Sequence, residues 1–427
     1  MLHVVPDCVL TERGFVSGVG LTLDGDGTLV ALDRGPAPGA RVLTLPGIAL
    51  MGGFVNAHSH AFQRLLRGRI ESPVAAGSGT NRDFWTWRKE MYRLMQRLGP
   101  DELETVARFA YGEMARAGYT VVREFHYLHH PPGGGTYADV HEMSLRLVAA
   151  AADAGLGLEL LRVAYLNVSE PEQRRFADAD VDAAIARTED LSSRVPVPVG
   201  VAPHSVRAVT PAGIAACASW ARQRGASCDV HVAEQPAEVA FTLTSWGRRP
   251  VELLDAHGVL GPGTTLIHAT HVSDDEVQLL GTANATVCLC PTTEANLGDG
   301  VSKTSEFLAA TIPLAIGSDS QAEIDPFAEL RMLEYNERNR HGRRQVLDPV
   351  TLLMAVTEPL LPGTRPHCIA IDRSHPSIEG VEPPDLGAAL VMAGRADCVA
   401  GVFDGDQIVR PHVDPEPYRR LVRRLLA

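Results

Sequence analysis

The period of apolar and polar positions changes in a repeating order along the chain. Residues 1 to about 48 carry short alternating apolar runs broken by Gly, Asp and Pro (LTLDGDGTLVALD), the pattern of small β hairpins. A strand then runs into GFVNAHSH, followed by a Gly/Ser loop at Ala76–Asn81 and an amphipathic segment, DFWTWRKEMYRLMQRL. Beyond it, strand-like runs (TVVREFH, 157–166, 197–203, CDVHVA, TTLIHA, ATVCLC, IPLAIGSD) alternate with stretches of helical spacing. Counted from GFVNAH, that makes eight strands separated by helices. Such alternation implies parallel pairing through right-handed crossovers. The predicted class is α/β, a (β/α)8 TIM-like barrel, with an open doubly wound sheet as the alternative on pattern alone. The tail, about 386–411, returns to short alternating strands. The two β-like ends are expected to pair into a small β-sandwich domain built from 1–48 and 365–427, leaving 49–364 as the barrel.

Composition narrows the class. The 427 residues are 45% hydrophobic and 21% charged, ordinary globular values that exclude disordered and fibrous chains. A net charge of −13 with no long basic run argues against a nucleic-acid binder. No apolar run is long enough for a membrane span. The N-terminal MLHVVPDCVLTERG lacks the regions of a signal peptide, so a cytoplasmic protein is expected. Seven cysteines are read as reduced thiols, and Cys288 and Cys290 as buried strand residues more readily than as ligands.

The candidate chemistry lies at strand ends. His58 and His60 are two apart, so strand alternation puts both imidazoles on one face, within reach of one metal. His231, His268 and Asp319 end the fifth, sixth and eighth strands. Taken singly, each reads as a satisfied buried polar residue. Together the five stand at the C-terminal strand ends, where barrel active sites lie. Three imidazoles and a carboxylate around an open position suit a catalytic divalent metal, zinc first. Glu234, three after His231, can reach the site without ligating, as a proton shuttle should, or it is simply a first-turn helix acid. Only two of the 39 basic residues are lysines, Lys89 and Lys303.

The set H-x-H, His231, His268 and Asp319 resembles the amidohydrolase superfamily, and HVAE resembles its deaminase branch. Over about 50–335, GFVNAHSHAFQRLLRG, FWTWRKEMYR, EFHYLHH, GVAPHSVRAVT, HVAEQ, LCPTTEANLGDG and GSDS together resemble the formimidoylglutamate deiminase family. One departure is that the family is expected to carry His after GSDS, where Gln321 stands. The resemblance implies hydrolysis of N-formimino-L-glutamate to N-formyl-L-glutamate and ammonia, in histidine degradation. It further implies one zinc held by His58, His60, His231 and Asp319, with Glu234, His268 and Asp319 catalytic. Whether His268 ligates the metal is left open by spacing. Substrate contacts carried over by motif are Gln63, Arg88, Tyr127, His204 and Arg207, and a homodimer is implied. The arginines agree with elementary chemistry, since planar guanidinium forks grip carboxylates bidentately. Arg88 also reads as a solvated helix arginine, and Gln63 and Tyr127 as packed groups. Two rival readings stand: a mononuclear zinc deaminase of a purine or another amidine-like substrate, and a barrel that has lost catalysis and serves as a scaffold.

Overall fold

The computed structural model describes residues 1–69, 71 and 83–426. The Gly/Ser loop read at Ala76–Asn81 lies outside the described residues. The chain divides into two compact units. One is Met1–Asn56 with Gly112–Val121 and Ile324–Val413, and the other is Ala57–Tyr111 with Val122–Glu323 and Asp414–Ala427.

The strands in chain order are β1 (Leu2–Thr11), β2 (Gly14–Ser17), β3 (Gly20–Leu23), β4 (Leu29–Asp33) and β5 (Arg41–Gly52). There follow β6 (Phe54–Ser59), β7 (Tyr119–His126), β8 (Gly157–Ala164), β9 (Val199–Pro203), β10 (Cys228–Val232), β11 (Thr264–His268), β12 (Thr286–Leu289) and β13 (Leu314–Ile316). The last are β14 (Cys368–Asp372), β15 (Val399–Asp404) and β16 (Gln407–Val409). Among the described residues these form two sheets of eight strands.

The terminal segments build a mixed sheet in the order β16-β15-β14-β5-β1-β3-β4, with β2 paired to β1. Val4, Val9, Leu21, Leu29, Leu50, Ala370 and Phe403 pack as its apolar core. Part of the tail differs from its expected strands. Residues 386–393 lie in a helix, Pro383–Ala393, not in alternating strands. Pro383 occupies the first turn, where its missing N–H costs nothing, and Leu386, Leu390 and Val391 recur at helical spacing on the buried side.

The second sheet runs β6 to β13 in chain order. Each resolved register among β8–β13 is parallel. β9, β10 and β11 are buried at every position, as parallel strands covered on both faces must be. Closure comes from the two ends. The Asp319 N–H donates to the His58 carbonyl at 3.0 Å, and the His60 N–H donates to the Asp319 carbonyl at 3.1 Å. Gly317 makes this approach possible, because a Cβ there would stand 2.6 Å from His58 Cβ and 2.7 Å from its carbonyl oxygen. In the same unit a helix, Glu416–Leu426, stacks its Tyr418 ring on Phe109 at 4.1 Å. All seven cysteines are buried and free. No described helix is long and apolar enough to cross a membrane.

Candidate active site

Four strand ends deliver the five polar residues to one place. His58 and His60 leave β6, His231 lies on β10, His268 ends β11, and Asp319 follows β13. The rings of His58 and His60 are 4.6 Å apart, those of His58 and His231 4.9 Å, and those of His231 and His268 5.6 Å. Asp319 Oδ1 lies 3.4 Å from the Nε2 atoms of both His58 and His60. His268 and Asp319 hold left-handed backbone, φ 72° and 44°, a strain that the surrounding packing must sustain.

The hydrogen bonds behind the rings fix their tautomers. His60 Nδ1 donates to the Phe125 carbonyl at 2.9 Å and His231 Nδ1 to the His204 carbonyl at 3.0 Å, since a carbonyl can only accept. Their Nε2 atoms therefore carry lone pairs. His231 Nε2 faces His58 Nε2 at 3.1 Å, and His60 Nε2 faces a carboxylate oxygen. Acceptors that converge at such distances fit a cation between them. Burial pushes the imidazoles of His58, His60 and His231 down, His60 to about 3, which keeps them neutral as metal ligands must be. Burial opposes the charge on Asp319. The His58 hydrogen bond and the neighbouring His58, His60 and His268 rings outweigh it and hold the carboxyl below its usual range. The donor set thus fits a divalent metal. His58, His60 and Asp319 form one group of suitable ligand atoms, and His58, His231 and His268 another.

On the other side of the cluster stand two more acid–base groups. His268 Nε2 lies 3.8 Å from both Glu234 Oε1 and Asp319 Oδ2. Its Nδ1 donates to Glu294 Oε1 at 3.3 Å. Burial opposes a charge on His268. The Glu294 hydrogen bond and the Glu234, Asp319 and Glu294 carboxylates overcome that penalty and raise its pKa well above the ordinary value. Burial, with Asp319 and Glu294 adding to it, raises the Glu234 carboxyl against the pull of His268 and Arg207.

These groups open into a cavity of about 340 Å³, within the range of small-molecule sites. Of the residues read from the sequence as metal-binding, catalytic or substrate-binding, all except His58 line it: His60, Gln63, Arg88, Tyr127, His204, Arg207, His231, Glu234, His268 and Asp319. Gln63 donates to the Tyr127 hydroxyl at 3.0 Å. Arg88 pairs with Glu170 at 3.1 Å and stacks its guanidinium on Trp85 and Tyr92. Arg207 lies 3.6 Å from Glu234 and 3.6 Å from Glu238. Cys290 is buried among strand residues but also sits with His268 and Glu294 in a group of ligand-capable atoms. Gln321 does not enter the cavity. Its amide donates to Ser59 Oγ and the Asp319 carbonyl and accepts from Ser318 Oγ, so it ties the closing turn together.

Two neighbours escaped the sequence reading. Glu294 stands in PTTEAN, four residues after Cys290, whose N–H it accepts. Glu238 lies four residues after Glu234 in HVAEQPAE, on the helix Pro236–Trp246, which Glu234 precedes.

The family model for the amidohydrolase family matches residues 49–358. Formimidoylglutamate deiminase from Pseudomonas aeruginosa is 38% identical over 357 residues, covering 81% of this chain and 77% of the relative. 8-Oxoguanine deaminase from the same organism is 30% identical over 423 residues, covering 92% of this chain and 90% of the relative. The crystal structure of an amidohydrolase from Brucella melitensis superposes over the whole of both chains with a TM-score of 0.86 at 31% identity. A match across most of the chain, on a barrel that carries its polar residues at the expected strand ends, makes this chain a member of the amidohydrolase family.

Proposed function

We propose that the chain hydrolyses N-formimino-L-glutamate to N-formyl-L-glutamate and ammonia. The observation that carries the reading is one cavity holding both a histidine–aspartate cluster and two guanidinium groups, Arg88 and Arg207. The substrate has an amidine-like carbon and two carboxylates. The guanidinium forks suit the carboxylates, and the cluster suits attack on the carbon. The 38% identity to a formimidoylglutamate deiminase points the same way.

In this reading His58, His60, His231 and Asp319 hold one zinc ion, the first choice for three imidazoles and a carboxylate. When bound, such an ion makes water a usable nucleophile near neutral pH. The chain's own groups do the rest. Asp319 accepts a proton from the attacking water, and Glu234 gives its proton to the imino nitrogen. His268, carrying positive charge, steadies the oxygen that attacks. Carbon then bears a hydroxyl and two nitrogens. Glu234, now ionised, takes the hydroxyl proton, and Asp319 returns its proton to the departing nitrogen. Ammonia leaves, the formyl group forms, and both acids are restored. Gln63, Tyr127 and His204 line the wall beside Arg88 and Arg207 and orient the glutamate. The reaction belongs to histidine degradation, with a cytoplasmic homodimer as the working form and neither nucleic acid nor membrane as a partner.

The rival is a purine deaminase, favoured by the 30% identity to 8-oxoguanine deaminase. One assay separates them. Ammonia and formylglutamate should appear from N-formimino-L-glutamate and stop with chelator, while a purine panel stays inert. Ammonia from a purine alone would reverse the assignment.

A further inference from the structure

We propose that Glu238 is a positioning residue that keeps Arg207 aimed at the substrate carboxylate and away from Glu234. The inference rests on the deiminase reading and concerns the same cavity.

Glu238 lies on the helix Pro236–Trp246 with its side chain fully buried. Its Oε1 accepts the Ala233 N–H at 2.9 Å, at a turn where Ala233 takes φ 50°. That bond alone describes a residue that merely holds the His231–Glu234 turn. The other oxygen has no such use. Glu238 Oε2 is buried without a hydrogen-bond partner and stands 3.6 Å from Arg207 Nε, which is also buried without one. A second carboxylate oxygen, Glu234 Oε2, stands 3.6 Å from Arg207 Nη2.

One guanidinium is thus suspended between two buried carboxylates, and both contacts are too long for hydrogen bonds. The balance matters for both roles of the site. At these distances Arg207 keeps its N–H donors for an arriving carboxylate. Remove the charge on Glu238, and the guanidinium has one carboxylate left to pair with, Glu234. A closed Arg207–Glu234 pair would hold Glu234 ionised when it must carry a proton, and would turn Arg207 away from the substrate. Glu238 therefore serves both groups through Arg207 without touching the reacting atoms.

The test is a double-mutant cycle on the metal-loaded full chain, with N-formimino-L-glutamate as substrate. Glu238→Gln keeps the oxygen that accepts from Ala233 and removes only the charge. Metal content and melting temperature should hold, KM should rise about tenfold, and kcat should fall with it. In an Arg207→Met background the same change should add nothing to KM. An unchanged KM for E238Q, or an equal loss in both backgrounds, overturns the proposal and leaves Glu238 as a turn-holding residue. Should E238Q fail to fold, Arg207→Lys carries the test. Its compact ammonium cannot span two carboxylates, so KM should rise with metal retained, and a wild-type KM overturns the proposal. Wild-type protein that releases no ammonia from this substrate would sink the deiminase reading itself, whereas an active wild type with a neutral E238Q sinks only this inference.

Discussion

Burial raises the Glu234 carboxyl from its ordinary value, which favours the protonated form that the proposed mechanism requires. The sign of the pH dependence follows. Activity depends on the protonated form, which persists at low pH and is lost as pH rises through the raised pKa. Turnover should therefore fall on the alkaline limb of a pH–rate curve, and a curve with no alkaline limb would place the proton donor elsewhere. Replacing Glu234 by Gln should leave the metal bound and lower kcat by about 100-fold or more, and near-normal turnover would remove it from the mechanism. Arg88→Met and Arg207→Met should raise KM with metal content unchanged, and wild-type kinetics in both would mean that the carboxylates dock elsewhere. At this scale the sequence was informative because strand-end position and period fix a side chain's direction. It was silent on Glu294 and Glu238, whose contacts exist only after folding brings His268 and Arg207 beside them.

The junction of β6 with the turn after β13 is where several residues act as one element. Gln321 bonds Ser59 and the Asp319 carbonyl, Ser59 donates to Glu124 at 2.5 Å, and Glu124 also accepts the Ala61 N–H at 2.8 Å. The seam thus braces both sides of the histidine pair. Gln321→Leu should leave the barrel folded but speed metal loss to a chelator about tenfold, as seen when groups behind a ligand are removed. Metal release at the wild-type rate would show that the clamp is dispensable. The barrel strands were legible because continuous apolar runs are bounded by helical spacing, and β9, β10 and β11 are buried throughout. The tail was harder to read. Leu386–Met392 is apolar or Gly at every position, so the helical spacing of its buried residues cannot be seen in the sequence, where such a run does not separate strand from helix. Pro383 and the first-turn Asp385 mark its helix start.

For the molecule as a whole, a ligand that binds the folded form alone raises stability, by about 2.7 kcal/mol when it is present at 100 times its Kd. Stripping the metal should therefore lower the melting temperature, and zinc should restore it. An identical melting curve with and without chelator would argue against a metal set into the fold. Light scattering should return twice 45.8 kDa for the proposed homodimer, and a single 45.8 kDa species would overturn it. The seven buried thiols bear on how such experiments are run. Burial pushes Cys8 up to about 11, and Cys217 and Cys368 up to about 12, so the reactive thiolate is scarce as well as shielded. Iodoacetamide should leave the native enzyme working. Purification can then omit dithiothreitol, which chelates divalent metals, and any inactivation on storage points to the ion before it points to oxidation.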